Sequence, residues 1–554
     1  MLHLEKNIRV WLKSQYWQAL PYISLLIWIL PLLLFSSGNN SLMAHDEGLY
    51  AIRARLMFDS NQWVHPWTTP HHKTPGIYWI IAIVYKLFGL NEFSVRLPSM
   101  ILGTLSIFIL YEIGRIILDK KIAWLAATVF CVEFLWLQYC RLGTPDVSMV
   151  FLVLSGILFL LKAESYTHDN QNLYNFCCFS SGLCCSLGLL VRSLMIVVPI
   201  VALLPYLIYS NRCHRLLNNS YLYLGLIVGL IPTLIWLWLS YLHYGSGSIF
   251  QLLDFVFRVS SKERGGNGII FYMWNVPAKS FPWFFFALFG LFITIRRQQA
   301  KYKSILVGLP VILFTEISLV STRLSHYSLC LFPFIALLAA IGLDTLTQMI
   351  ISQKNNYQLQ GSKKILSANS SIPDYLSYGF GIIGILLLLT GVILLVIGNS
   401  EIHKYAAIIL AVGAGWLILP IVWIQRHRFQ NSHTLGNYWL AGWLIPIWLG
   451  LAVAGYNGIF SDYNPEFRKF IQTEPIAQIL ESSPVNLVDV GGKTGVLVNF
   501  YTKNIVQRVD SLQQVSPNSY AWIQSSQITK PPESLIPHRV IGTIKEYSLI
   551  QILS

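Results

Sequence analysis

The 554-residue chain predicts an α-helical polytopic membrane protein with a small C-terminal α/β domain, and three observations carry that expectation. Hydrophobic residues make up 54% of the sequence and charged residues only 12%, with a mean hydropathy of +0.55, which is too apolar for a water-soluble globule. Apolar runs near the roughly 20 residues needed to cross a bilayer recur as far as residue 455. Beyond about residue 456 the pattern changes to short apolar runs separated by turn residues.

The spans follow in chain order. Thirteen are expected, at 20–36, 97–117, 122–140, 146–162, 174–191, 194–210, 220–243, 277–295, 304–321, 325–347, 376–398, 404–424 and 438–455. Lys6, Arg9 and Lys13 precede the first, and no small-residue cleavage site follows it, so it reads as an uncleaved span that starts in the cytoplasm. The segment "GIYWIIAIVYKLFGL" at 76–90 is short and bears Lys86, so it is assigned to the membrane surface. With that choice the basic loops "NRCHR", "RRQQAKYK", "KNNYQLQGSKK" and "QRHRF", and that of Lys120 and Lys121, all fall on the cytoplasmic side. The net charge of +14 is scattered among these loops, a topological pattern that argues against nucleic-acid binding.

This layout divides the chain into a cytoplasmic N-terminus with the first span (1–36), an outer-face loop with amphipathic helices and an acidic motif (37–94), a membrane core (95–350), further spans (351–455) and an extracytoplasmic domain (456–554). In the last, "VNLVDV", "NIVQRVD", "YAWIQ" and "HRVIGTI" read as strands around a helix near "TGVLVNFYTK". Its "GGKTG" lacks the upstream glycine of a phosphate loop, where Leu487 stands, and is assigned as a turn. The eight cysteines lie in or beside spans; Cys177, Cys178, Cys184 and Cys185 share one helix and cannot surround a tetrahedral ion, so they read as packing.

Chemistry is expected at the outer face. "NNSLMAHDEGLYAIRARLMF" places Asp46 and Glu47 side by side before a segment with Leu49, Ile52, Leu56 and Phe58 on one stripe, as in a helix lying along the membrane surface. A carboxylate there could simply cap the helix, and Glu47 is the better placed to do so. The same face receives Arg53, Lys73, Arg141, Asp146, Arg192, Arg323, His326 and Tyr327. Charges at membrane depth are costly and usually functional. Several cations near a carboxylate suit an anionic head group, with a base for an incoming hydroxyl.

The succession "HDEGLYAIRARLMF", "HHKTPGIYW", "FSVRLPSMILG", "LQYCRLGTPD", "GLLVRS" and "STRLSHYSLCLFPFIALL" resembles the GT-C superfamily of polyprenyl-phosphate-dependent glycosyltransferases, nearest its lipid A aminoarabinose and protein O-mannosyl branches. The likeness covers about residues 20–350 and implies a GT-C fold. It implies that Asp46, with Glu47 beside it, is the catalytic or acceptor-orienting carboxylate and that Asp146 is a second acidic residue. Arg192, and with them Lys73 and Arg323, would hold the donor phosphate. Arg192 stands where many relatives carry Lys, which changes a point charge to a fork. His71 and His72 lack the Glu that accompanies them in the aminoarabinose branch, so no metal or other cofactor is expected, and a divalent cation is unsupported. The implied partners are a polyprenyl-phosphate-linked sugar donor, a lipid, glycan or protein acceptor, and membrane lipids. A transporter of lipid-linked sugars is the alternative; it calls for mid-span charges and paired broken helices, whereas the charges noted here gather at the outer ends.

Overall fold

The computed structural model describes residues 2–167, 169–261, 267–296, 302–359, 372–528 and 536–553. Apolar helices dominate it. Among the described residues eight are long and apolar enough to cross a membrane, or up to ten if each of two bent pairs is one span. Shorter apolar helices cover Gln18–Leu34, Gly76–Phe88 and Ser304–Leu319. The molecule is therefore an integral membrane protein.

The expected runs at 174–191 and 194–210 lie within one 44-residue helical stretch, Gln171–His214, broken at Ser193, whose φ of 53° takes the chain out of the helix after Arg192. Two expected spans are bent. The run at 122–140 divides into Lys120–Cys131 and Phe134–Cys140, at 66° to each other, with Glu133 at the break. The run expected at 277–295 divides into Phe271–Lys279 and Trp283–Arg296, at 108°, with Ser280 and Pro282 between. Straight spans were expected because both runs are largely apolar, and the signs of a break, Glu133 in the first and Pro277 and Pro282 in the second, were overlooked.

Close helix contacts are made by glycine. A Cβ on Gly182 would lie 2.1 Å from the Leu222 carbonyl oxygen, and one on Gly225 would lie 2.0 Å from that of Phe179. Bare backbones thus let Gln171–Arg192 and Ser220–Tyr244 touch, as small residues do where no hydrophobic effect drives helices together.

At one end of the bundle lie the 37–94 region and the C-terminal domain. The domain has a five-stranded sheet: β1 (Val485–Val488), β2 (Ile505–Val509), β3 (Tyr520–Gln524), β4 (His538–Ile544) and β5 (Tyr547–Ile552), in the order β2-β1-β3-β5-β4. β1 pairs in parallel with β2 and β3, while β5 is antiparallel to β3 and β4. The four expected strands are present. β5, in "YSLIQI", was missed because its nearly continuous burial gives no clear alternation. The helix Gly492–Tyr501 follows β1, and "GGKTG", expected as a turn, is instead its start: Gly491 is the residue before the helix, and Gly492 opens it at φ 68°.

The helix Glu47–Ser60 packs the opposite way from the sequence expectation. Gly48, Tyr50, Ala51, Ala54, Arg55 and Met57 are buried, whereas Leu49, Ile52, Leu56 and Phe58 are only half-buried. Small residues explain the choice: a Cβ on Gly48 would lie 2.7 Å from Val496 of the Gly492–Tyr501 helix. Arg55 fixes that contact, donating from Nη1 to the carbonyls of Asn499, Phe500 and Thr502 and from Nη2 to that of Lys503. The loop helix and the C-terminal domain are one packed unit sharing one core.

Candidate active site

Two adjacent acids take opposite environments. Glu47 is fully buried and accepts from Arg96 Nε at 2.8 Å, Arg96 Nη2 at 3.1 Å, the Met43 amide at 3.0 Å and the Gly143 amide at 3.1 Å. Arg96, equally buried, uses its remaining donors on the carbonyls of Ser37, Asn40, Ser41 and Ser461. This is a saturated ion pair that joins the loop before Asp46, the start of the Glu92–Ile117 helix, the turn before Asp146 and the lead into the C-terminal domain. Glu47 does not cap its helix, and its oxygens are taken up by Arg96 and two backbone amides. Asp46 is exposed and caps nothing, and no hydrogen bond or ion pair engages it among the described residues. It lies within electrostatic reach of Tyr139, His326 and Tyr463.

Opposite stands a cationic group. Lys73 Nζ donates to the Tyr50 hydroxyl at 2.9 Å, and Arg192 Nη1 donates to the same oxygen at 3.1 Å. Arg192 Nη2 lies 2.8 Å from Asp146 Oδ1, an ion pair by distance without the alignment of a hydrogen bond, and Arg192 Nε is buried with no partner. Bringing two cations onto one neutral phenol oxygen is unfavourable unless an anion joins them; Asp146 answers one, and a buried donor remains. Arg53 lies behind, its guanidinium 5.9 Å from the Trp67 ring centre. The rings of Tyr139 and His326 meet at 5.5 Å, and His326 and Tyr327 both lie within electrostatic reach of Arg192.

His71 is buried and shares a 2.7 Å hydrogen bond with Tyr78. Burial, reinforced by Arg53, His72 and Lys73, holds its imidazole well below the ordinary histidine range and hence neutral. Among the described residues no group of three His, Cys, Asp or Glu side chains comes together as a metal site.

The structure thus brings together Asp46, Arg53, Lys73, Asp146, Arg192, His326 and Tyr327. It leaves two expected members out. Arg141 is buried with its Nη atoms on the carbonyls of Leu32 and Phe35, and Arg323 donates to the carbonyls of Ser318 and Asn267. Both guanidiniums hold backbone in place, because chain ends at helix termini present carbonyls that need donors. Tyr50, Tyr78, Tyr139 and Arg96 were missed. Tyr50 was within reach of sequence reasoning, since it lies four residues after Asp46 and so on the same helical face.

Over nearly its whole length the chain has the fold of ArnT from Cupriavidus metallidurans bound to undecaprenyl phosphate, with a TM-score of 0.71, 16% identity and coverage of 97% of this chain and 98% of that one. Residues 72–238 match the family model described as dolichyl-phosphate-mannose-protein mannosyltransferase, a stretch that includes Lys73, Arg141, Asp146 and Arg192. A Shewanella sediminis undecaprenyl phosphate-alpha-4-amino-4-deoxy-L-arabinose arabinosyl transferase is 30% identical over 39% of this chain and 39% of its own length. An uncharacterized Aquifex aeolicus protein is 24% identical over 61% of this chain and 66% of its own. The chain thus spans less than two thirds of the length of these curated relatives.

Proposed function

We propose that this protein is a membrane glycosyltransferase that takes a sugar from a polyprenyl-phosphate donor and passes it, with inversion, to a lipid, glycan or protein acceptor. The observation that carries the reading is the pairing of a free carboxylate, Asp46, with a cluster of cations, Arg53, Lys73 and Arg192, in which Asp146 pairs with Arg192 alone. The ArnT fold, known with undecaprenyl phosphate bound, and the arabinosyl transferase relatives support it. The donor phosphate would displace Tyr50 from between Lys73 and Arg192 and take the idle Arg192 Nε donor, with Arg53 adding positive potential. Phosphate is the leaving group, so cations fixed in place before reaction stabilise its growing charge. Asp46 would accept the acceptor's hydroxyl proton, or orient that hydroxyl, as its oxygen attacks the anomeric carbon from the face opposite the phosphate. Asp146 holds the Arg192 fork, and Glu47 with Arg96 holds the Asp46 turn. The site and the C-terminal domain would lie outside the cell membrane, with the N-terminus in the cytoplasm, as the basic loops indicate.

Protein reconstituted in vesicles with a synthetic polyprenyl-phosphate sugar and a range of acceptors tests the reading. Asp46→Asn should lower transfer about 10²- to 10⁴-fold while donor binding persists. Near-normal turnover by that variant would remove Asp46 from the mechanism. Movement of donor across the vesicle membrane without any transfer would replace the transferase by a transporter.

A further inference from the structure

Glu133 has no place in the mechanism above, yet it is completely buried in an apolar bundle, where an acid is expensive to keep. Its Oε1 accepts a 2.8 Å hydrogen bond from Ser280 Oγ, also fully buried, and its Oε2 is buried with no partner. Both residues stand at helix breaks: Glu133 at the 66° break and Ser280 at the 108° break. One hydrogen bond therefore joins the only two bent spans found among the described residues.

Each bent span leads to the site. Glu133 begins the helix Phe134–Cys140, where its carbonyl accepts the Leu137 amide at 2.9 Å, and that helix presents Tyr139 and runs into the turn to Asp146. On the other side, the helix Phe271–Lys279 sets the turn that carries His326: Tyr272 donates to the Leu324 carbonyl at 2.9 Å, and Asn275 donates to Ser325 Oγ at 3.2 Å. The two sides meet again where the Tyr139 and His326 rings touch. The contacts form a closed circuit, with the Glu133–Ser280 bond at one end and the Tyr139–His326 contact beside Asp146 at the other. Lys279, with Nζ 5.0 Å from the Phe134 ring centre, adds a second link near the breaks.

We propose that Glu133 and Ser280 are positioning residues whose buried hydrogen bond sets Tyr139 and His326 against Asp146 and Arg192. The proposal rests on the transferase reading. It makes the bond, rather than a charge, the working feature, so a glutamine in place of Glu133 keeps the shape and the acceptor. Loss of the bond lets two kinked segments shift independently, and small misplacements at a reacting centre are costly, with about 1 Å worth up to about 100-fold.

The test uses the full chain in vesicles with Ser280→Ala, Glu133→Ala, Glu133→Gln and the double alanine variant. Ser280→Ala should lower kcat about 10- to 100-fold with donor KM little changed. Glu133→Gln should retain most of the wild-type kcat, and the double variant should be no worse than the poorer single one, as for two groups acting through one contact. Should Glu133→Ala fail to fold, the Ser280→Ala and Glu133→Gln pair still decides. An unchanged kcat in Ser280→Ala, or a Gln variant as impaired as Ser280→Ala, would overturn the proposal. Absence of transfer by the wild type with every acceptor would instead overturn the transferase reading itself.

Discussion

Removing the Glu47 carboxylate should damage the framework before it damages the chemistry. Glu47→Ala deletes four hydrogen bonds, two of them charge-assisted from Arg96, and leaves that guanidinium at zero exposure with no carboxylate in contact, Glu92 acting on it only at longer range. The carbonyls of Ser37, Asn40, Ser41 and Ser461 still accept from it, but none neutralises it. Breaking a buried ion pair from one side typically costs about 3–5 kcal/mol. The loss falls where the 37–46 loop, the 141–146 turn and the C-terminal domain converge, so the domain should loosen from the bundle. Thermal melting of purified protein in detergent, followed by the loss of the monodisperse peak in size-exclusion chromatography, measures the first effect. Limited proteolysis near residue 460 measures the second. A melting temperature equal to wild type, with no new cleavage, would refute the framework role and return Glu47 to the chemistry beside Asp46.

Three further outcomes are expected. Lys73→Ala should weaken donor binding about 10- to 100-fold, from a lost charge-assisted contact of about 1.5–3 kcal/mol, and acceptor titrations should move little; equal weakening of both would place Lys73 elsewhere. His71 is held neutral by burial, so the folded state binds fewer protons than the unfolded one, and stability should fall as pH drops below the ordinary histidine value of about 6.5. His71→Gln should flatten the decline in melting temperature between about pH 7 and about pH 5, and an unchanged decline would assign it to other groups. A cysteine introduced at Lys120 should resist an impermeant thiol reagent added outside intact cells, and one at Thr68, exposed beside the buried Trp67, should react; labelling at 120 would invert the proposed topology.

The helical class, the positions of the apolar runs, four of five strands and the acidic loop were legible in the sequence because each follows from composition and period. What stayed hidden depends on contacts between distant segments. Hydropathy has no term for a buried carboxylate whose partner lies 147 residues away, as with Glu133 and Ser280, so the two bends were read as straight spans. The buried face of the Glu47–Ser60 helix was misread for a related reason. The leucine and isoleucine stripe was the more apolar, but the neighbouring helix selected Gly48, Ala51 and Ala54, since only a face without bulk allows such an approach.

The arginines carry the same lesson in electrostatic form. Arg53, Arg96, Arg141, Arg192 and Arg323 are alike in sequence, each a cation close to a loop at one end of the bundle. The structure separates them by what their donors meet. Arg96, Arg141 and Arg323 spend donors on backbone carbonyls that the chain itself supplies at helix ends. Arg192 instead faces the side chains of an aspartate and a phenol. Nε is idle in Arg141 and Arg192 alike, so the difference lies in the partners: the carbonyls around Arg141 are fixed by the fold, whereas the Tyr50 hydroxyl beside Arg192 can give way to an anion. The acidic pair divides by the same rule: Glu47 has its acceptors filled by Arg96 and two amides, and Asp46, one residue earlier and turned outward at the helix start, keeps its oxygens open. Adjacent residues on a helix point about 100° apart, so one carboxylate could be locked into the fold only while the other was left to meet a substrate.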